Sequence, residues 1–260
     1  MGRPAGIPTI QAMALHPLAE QFAALAEVYE RGRPGYPPAV VGALGAELGL
    51  APGARVLDLA AGTGKLTRAL VAGGFDVVAV EPLESLRAIL IGIVGAERVH
   101  DGVAEQIPLA DGSVAAITVA DAFHWFDQER ALVEMRRVLA PGGGIALIST
   151  IPDFGVAPWG HELGTLISEM RTEHPYFDGK PWQDTLRETP GWSAPRLIRV
   201  TAPQPISPAQ LVDYVHSFSW VGAMPDEARN TMLERVAALV AKDTPDEMPV
   251  QAQIWLSARD

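Results

Sequence analysis

The feature that most constrains this chain is a rhythm repeated between Arg55 and Thr150. Short apolar runs, Arg55 to Leu59, Phe75 to Val80, Val114 to Ala120 and Ile145 to Thr150, are each followed by a turn, and helical spacing fills the intervals at about Lys65 to Ala72, Leu83 to Ile93 and Gln128 to Leu139. Strands that are apolar on both faces must be covered on both faces, and alternating helices do this through right-handed crossovers. The rhythm therefore predicts an open, doubly wound α/β sheet, whose first half is completed by a weaker strand at Arg98 to His100.

The flanks are read against that centre. Residues 1–18 carry Pro4, Pro8 and small side chains without periodicity and read as a mobile lead-in. Residues 19–50 predict a helical cover: Phe22, Leu25, Ala26 and Tyr29 recur at helical spacing up to Glu30, Arg33-Pro34-Gly35-Tyr36-Pro37-Pro38 interrupts, and a second helix runs through Val40, Val41, Leu44 and Leu48. Residues 51–150 form the core, residues 151–195 read as an irregular insertion, a lid punctuated by prolines, and residues 196–260 complete the sheet with strands at Leu197 to Thr201 and Val250 to Leu256 and helices near Ala209 to Ser217 and Asp226 to Ala241. A chain of 260 residues can bury this as one domain.

Charge and composition exclude several partners. Twenty basic against 31 acidic residues give a net charge of −11, a poor match to nucleic-acid phosphates or anionic lipid. Cysteine is absent, which removes disulfides, thiolate nucleophiles and cysteine metal sites and makes the cytoplasm the expected compartment. No long apolar run suits a membrane span, the first residues lack the order of an export signal, and no histidine spacing or carboxylate cluster calls for a metal.

The chemistry concentrates in Val56-Leu57-Asp58-Leu59-Ala60-Ala61-Gly62-Thr63-Gly64-Lys65-Leu66-Thr67, a strand, a loop of small residues and the start of a helix. Ligands of open α/β sheets bind at this edge. A Walker loop is excluded because Leu59 stands where it needs its first glycine and Leu66 follows Lys65, and a dinucleotide fingerprint fits poorly because Thr67 replaces its third small residue. Asp58 before the loop suits a ligand with a cationic amine, and a sulfonium nearby is tolerated in an acidic pocket; S-adenosylmethionine carries both. Glu81, at the end of the next strand and before Pro82, lies about 20 residues beyond the glycines, the interval for an acid that accepts ribose hydroxyls, which also fits NAD taken alone. Gly102-Val103-Ala104-Glu105-Gln106-Ile107-Pro108-Leu109 offers a loop for adenine against Ala104 and Ile107. The competing view makes Asp58 a distant helix cap and Glu81 a solvated strand end.

These motifs resemble the class I S-adenosylmethionine-dependent methyltransferases, in particular the small-molecule enzymes with an acidic-small-small-Gly-x-Gly first motif. The resemblance runs through Tyr29-Glu30-Arg31-Gly32-Arg33-Pro34-Gly35-Tyr36-Pro37, Asp58 to Gly64, Glu81-Pro82, Gly102 to Leu109 and Arg137-Val138-Leu139-Ala140-Pro141-Gly142-Gly143, and fades after Thr150. It implies a Rossmann-like seven-stranded sheet of order 3-2-1-4-5-7-6 and a cofactor site of Tyr29, Arg33, Asp58, Ala60, Ala61, Gly62, Thr63, Gly64, Glu81, Pro82, Val103, Ala104, Glu105 and Ala120, with Arg33 able to meet the methionine carboxylate. Two positions depart from the family pattern: Ala60 stands where glycine is common, and Val103 where a carboxylate usually receives the adenine amino group.

The implied reaction is in-line methyl transfer to a small organic acceptor, at oxygen or carbon of a natural-product or metabolic intermediate. Alignment supplies most of the rate and a base is optional. In this fold the run Ala120-Asp121-Ala122-Phe123-His124-Trp125-Phe126-Asp127 faces the methyl, so His124 is the candidate base and Phe123, Trp125, Trp159 and His161 are candidate acceptor contacts; simple packing of the run is the alternative. His174, beside Tyr176, is a second lid histidine able to approach a substrate, and Asp127 reads as the N-cap of the following helix. The rival functions are an enzyme of the same fold that binds the cofactor without transferring its methyl, and a non-catalytic binding module.

Overall fold

The computed structural model describes residues 15–155, 158–171, 174–179, 181–201, 203–242 and 246–260. Most of the expected lead-in, residues 1–14, therefore lies outside the described residues. The remainder of that segment belongs to the fold: helix α1 spans Pro17–Glu20 and is capped by the His16 side chain, which accepts from the Leu18 amide.

The core alternates as the sequence predicts. Strands β1 (Arg55–Leu59), β2 (Asp76–Val80), β3 (Val99–His100), β4 (Val114–Ala120) and β5 (Leu139–Pro152) run parallel, and helices α4 (Lys65–Ala72), α5 (Glu84–Val94) and α6 (Gln128–Val138) connect them. Beyond β5 the direction reverses: β9 (Val250–Ala258) pairs antiparallel with β5 on one side and with β6 (Arg196–Thr201) on the other. The order is β3-β2-β1-β4-β5-β9-β6, the expected Rossmann-like arrangement with β9 in the penultimate place, while β7 (Gln204–Pro205) and β8 (Glu247–Met248) form a separate two-stranded ribbon. Central strands bury both faces, with Leu57, Leu59 and Ile117 packed toward α6 and Val56, Ala116 and Ala146 toward α3 (Pro38–Glu47) and α4. Asp127 caps α6 by accepting from the Arg130 amide, and Leu132 and Met135 on its inner face are fully buried.

Two expectations are corrected. The single helix read from Ala19 to Glu30 is broken into α1, a 3-10 turn at Gln21–Ala23 and α2 (Ala26–Gly32). The break turns Phe22 inward, where its ring meets Tyr29 and Trp125 edge-on, while Leu25 is buried beside Gly222. The 151–195 segment is largely helical, and its halves serve different cores. Helix α7 (Pro158–Met170) packs Trp159, Leu163 and Leu166 against α10 (Pro208–His216), α11 (Ser219–Gly222) and α12 (Asp226–Lys242), making a second apolar core beyond the sheet. Helix α9 (Trp182–Glu188) instead sits under the sheet beside α6, with Trp182 edge-on to Phe123 and Trp255. The short α8 (Pro175–Asp178) lies between them in sequence and faces the loop after β4.

Trp182 thus works as core. Trp182→Ala is expected to lower unfolding free energy by about 3–5 kcal/mol, read from urea melts; an unchanged midpoint would contradict its packing role.

Candidate active site

The carboxyl ends of β1, β2 and β4 open onto two adjoining cavities. The smaller, of about 170 Å³, is lined by Leu59, Ala60 and Gly62 after β1, Glu81 to Leu83 after β2, Gly102 to Glu105 after β3 and Ala120 to Ala122 after β4, with Leu15, His16, Ala19, Phe22 and Tyr29 as its roof. The larger, of about 490 Å³, is lined by the loop after β4, the end of β5 at Thr150 to Pro152, and side chains of α7, α8, α10 and α11. Phe22, Asp121 and Trp125 belong to both walls, so the cavities meet at these three residues.

The β1 loop owes its shape to backbone chemistry. Gly62 has φ of +60° and Gly64 has φ of +86°, a region where side chains are disfavoured, and a Cβ on Gly64 would come within 2.5 Å of Leu90. Ala60 adopts φ of +56° despite its methyl, so the position where the family commonly has glycine is strained here. Ala61 donates its amide to the Val80 carbonyl and packs beside Ala79 and Leu90, and buried Thr63 donates to Glu30 at 2.6 Å. Ala61, Thr63 and Gly64 thus shape the loop from behind and do not line either cavity.

The two acids behave differently. Asp58 is 1% exposed and lines neither cavity; Thr67 Oγ1 donates to its Oδ2 at 2.6 Å and Thr118 Oγ1 to its Oδ1 at 3.1 Å. Instead of presenting a carboxylate to a ligand amine, Asp58 ties β1 to α4 and β4, and burial pushes its pKa up to about 6 against those hydroxyl donors. The Thr67 that spoils a dinucleotide fingerprint is therefore the partner of this acid. Glu81 does line the smaller cavity: its Oε2 accepts from the Gly62 amide at 2.8 Å and its Oε1 from the Leu83 amide at 2.9 Å. Each oxygen keeps a further lone pair for a hydroxyl. Burial pushes Glu81 up to about 7, opposed by the two amides and Arg87.

The remaining expected residues divide between three places. Tyr29, Ala60, Gly62, Pro82, Val103, Ala104, Glu105 and Ala120 line the smaller cavity, with Leu83, Leu86, Val103, Ala104 and Phe126 giving an apolar plate. Ile107 is instead buried in the sheet core, and Glu105 is partly engaged, accepting the Asp127 amide. His124, Trp125 and His174 line the larger cavity, and so does Arg33, which does not reach the smaller one. Three acceptor contacts are corrected: Phe123 turns into the core against Phe126 and Trp182, Trp159 is buried in the second core, and His161 is an exposed residue beside Phe154 on the outer side of α7. A helix face directs Trp159 one way and His161 another, which irregular chain would not.

Asp121, directly after β4, is a site residue to which the sequence assigns no role. It holds φ of +51°, accepts from Tyr36 Oη at 3.1 Å, from the Thr150 amide at 2.9 Å and from Thr150 Oγ1, and is shared by both cavities; burial raises its pKa. Its signal was position, directly after β4. His124 lies 4.5 Å from the Trp125 ring, 5.3 Å from Tyr176 and 5.4 Å from His174. Burial, then the charges of His174, His16 and Arg33, push it down to about 3, and burial followed by Arg171 pushes His174 to about 4, so both imidazoles are neutral at neutral pH. Among the described residues no group of histidines and carboxylates could hold a metal ion, and no helix is long and apolar enough to cross a membrane.

Comparison with known proteins bears on the family of the chain and on its fold. Residues 57–147 match the methyltransferase domain family model. An uncharacterized methyltransferase of Mycobacterium tuberculosis is 38% identical over 85% of both chains, and an uncharacterized methyltransferase of Schizosaccharomyces pombe is 31% identical over 78% of this chain and 80% of its own. A solved structure from Anaeromyxobacter dehalogenans, described as a type II methyltransferase, superposes with a TM-score of 0.59 at 26% identity, covering 87% of this chain and 97% of its own.

The strain at Ala60 is testable without any ligand. Ala60→Gly is expected to stabilise the protein by up to about 1 kcal/mol, the relief of the left-handed methyl less the extra freedom of the unfolded glycine, visible as a higher thermal midpoint. A lower midpoint would contradict the strain.

Proposed function

Because this chain belongs to the class I S-adenosylmethionine-dependent methyltransferases, we propose that it methylates a small organic acceptor at oxygen or carbon, holding the cofactor in the smaller cavity and the acceptor in the larger. The observation that carries the reading is the junction at Phe22, Asp121 and Trp125, where a cavity with a diol-accepting carboxylate meets one walled by aromatic side chains.

The residues present fit the cofactor. Glu81 offers a lone pair on each oxygen to the two ribose hydroxyls, and the plate of Leu83, Val103, Ala104 and Phe126 suits an adenine ring. Val103 cannot accept the adenine amino group, so adenine recognition falls to apolar contact and to Glu105. With Asp58 withdrawn, Asp121 is the acid nearest the meeting of the cavities and supplies the negative charge that a sulfonium and an amine require. When bound, S-adenosylmethionine supplies a methyl group already activated for transfer.

The chain's own contribution is alignment and exclusion of water. The roof from Leu15 to Tyr29 covers the smaller cavity, and Trp125 and Phe22 form the wall against which an acceptor is aligned. His124, neutral and half-buried, can accept a hydrogen bond from an acceptor hydroxyl and fix its direction. A base held so far below its ordinary range is weak, so His124 aids orientation first and takes the proton only as charge builds. A natural-product or metabolic intermediate with an apolar body suits these walls.

Three outcomes test this. Glu81→Ala should weaken S-adenosylmethionine binding at least about tenfold by calorimetry, about one charge-assisted hydrogen bond; an unchanged dissociation constant would remove the ribose role. Since ionised Glu81 is the better acceptor and its carboxyl titrates at about 7, affinity should rise as pH rises from 6 to 8, and Glu81→Gln should lose that part of the dependence. With saturating cofactor and an acceptor found by mass gain of one methyl group, His124→Ala should lower turnover about 10²-fold while cofactor affinity stays put, and the wild-type rate should show no acid limb near pH 6.5, because the imidazole is pushed down to about 3. Full activity of His124→Ala would sink its role.

A further inference from the structure

The larger cavity contains a charge that the reading above leaves unused. Arg33 follows α2, and its Nε donates to Ser217 Oγ at 2.7 Å. Its guanidinium carbon lies 5.3 Å from the Tyr29 ring centroid, 5.0 Å from Tyr214 and 5.1 Å from Phe218, so three aromatic rings fix the fork. Among the described residues no carboxylate pairs with it, and its terminal nitrogens have no acceptor.

Two other arginine or carboxyl side chains, Arg171 and Asp121, line this cavity. Arg171 is already paired with Asp178 at 3.1 Å and lies 4.4 Å over the Phe177 ring. Asp121 is occupied by Tyr36 and by two donors of Thr150. The histidines of the wall, His124 and His174, are neutral at neutral pH because burial disfavours their charge. Arg33 is therefore a cation held by three rings and one hydroxyl, in a chamber whose acid, Asp121, is hydrogen-bonded to other groups. A carboxylate could meet the planar fork with two parallel hydrogen bonds.

We propose that the acceptor is an amphipathic carboxylic acid with an aromatic or similarly flat body, and that Arg33 grips its carboxylate while the body extends toward Trp125 and the junction of the cavities. The inference rests on the larger cavity being the acceptor site. It assigns Arg33, which lines the larger cavity, to the acceptor in place of the methionine carboxylate. The carboxylate is the handle, and specificity follows because an uncharged ligand forfeits the charge-assisted pair with the part-buried guanidinium.

The test uses the full chain saturated with S-adenosylhomocysteine and isosteric pairs: 4-hydroxycinnamate with its amide, and 6-hydroxy-2-naphthoate with its amide, titrated by calorimetry. Each acid is expected to bind about tenfold or more tightly than its amide. Arg33→Met should level the pair and Arg33→Lys should keep part of the preference, with affinity for S-adenosylmethionine changed by less than about threefold in both. Equal binding of acid and amide by the wild type, or no binding of either acid at millimolar concentration, overturns the proposal. So does an Arg33→Met variant that weakens S-adenosylmethionine tenfold and leaves the acid preference intact. If Arg33→Met does not fold, the wild-type ratio of acid to amide decides alone. Failure of the wild type to bind S-adenosylhomocysteine at all would instead refute the cofactor site.

Discussion

The clamp between Glu81 and the backbone of the β1 loop is the interaction on which the site depends. Glu81 Oε2 holds the Gly62 amide and Oε1 holds the Leu83 amide, so one side chain joins the ends of two neighbouring strands and fixes the floor of the smaller cavity. Asp58 does the corresponding work one layer down, joining β1 to α4 through Thr67 and to β4 through Thr118. Both carboxylates are buried at energetic cost, since desolvation disfavours their charged forms, and both receive donors in return. Charge buried for precision at a loop is the expected signature of a site that must keep its shape.

That floor is completed by parts that come from far apart in the chain. The roof over the smaller cavity is the segment from Leu15 to Tyr29, and its docking uses Phe22 and His16 against Trp125. The larger cavity borrows its walls from the second core, where α7, α10, α11 and α12 pack on one another. A ligand in the first cavity thus touches mainly the sheet, while one in the second touches mainly the helical additions. On the proposed reading, cofactor recognition and acceptor recognition are built from different layers.

The legible part of this molecule was the part governed by local rules. Strand edges at Val114 and Ala120, the α4 and α6 helices and the cap at Asp127 follow from apolar periodicity, turn chemistry and capping, all visible within a few residues. The strand order came with the family resemblance and holds with β9 in place. What failed depended on distant partners. The break after α1 is set by Trp125 and Gly222, the helicity of 158–170 by a core assembled from residues beyond 206, and the inward turn of Phe123 by Trp182. From sequence alone Asp58 reads as a ligand anchor because its neighbours Thr67 and Thr118 lie nine and 60 residues away, and only folding brings their hydroxyls to it.

Arg33 and Asp121 illustrate the limit of reading roles by position. Both stand in stretches that resemble the family, and the fold places Asp121 in the wall shared by the two cavities and Arg33 in the wall of the larger. Asp121 is held by Tyr36 from the N-terminal cover and Thr150 from the end of β5, and Arg33 by Ser217 and the rings of Tyr214 and Phe218 from the C-terminal helices. Neither can shift without disturbing two distant segments. The opposite charges therefore act as fixed electrodes across the junction, with the acid shared by both cavities and the guanidinium on the side of the larger one. On the proposed reading, a molecule spanning them has its orientation set by its own charge distribution before any contact with His124, so that a weakly basic imidazole would suffice in this position.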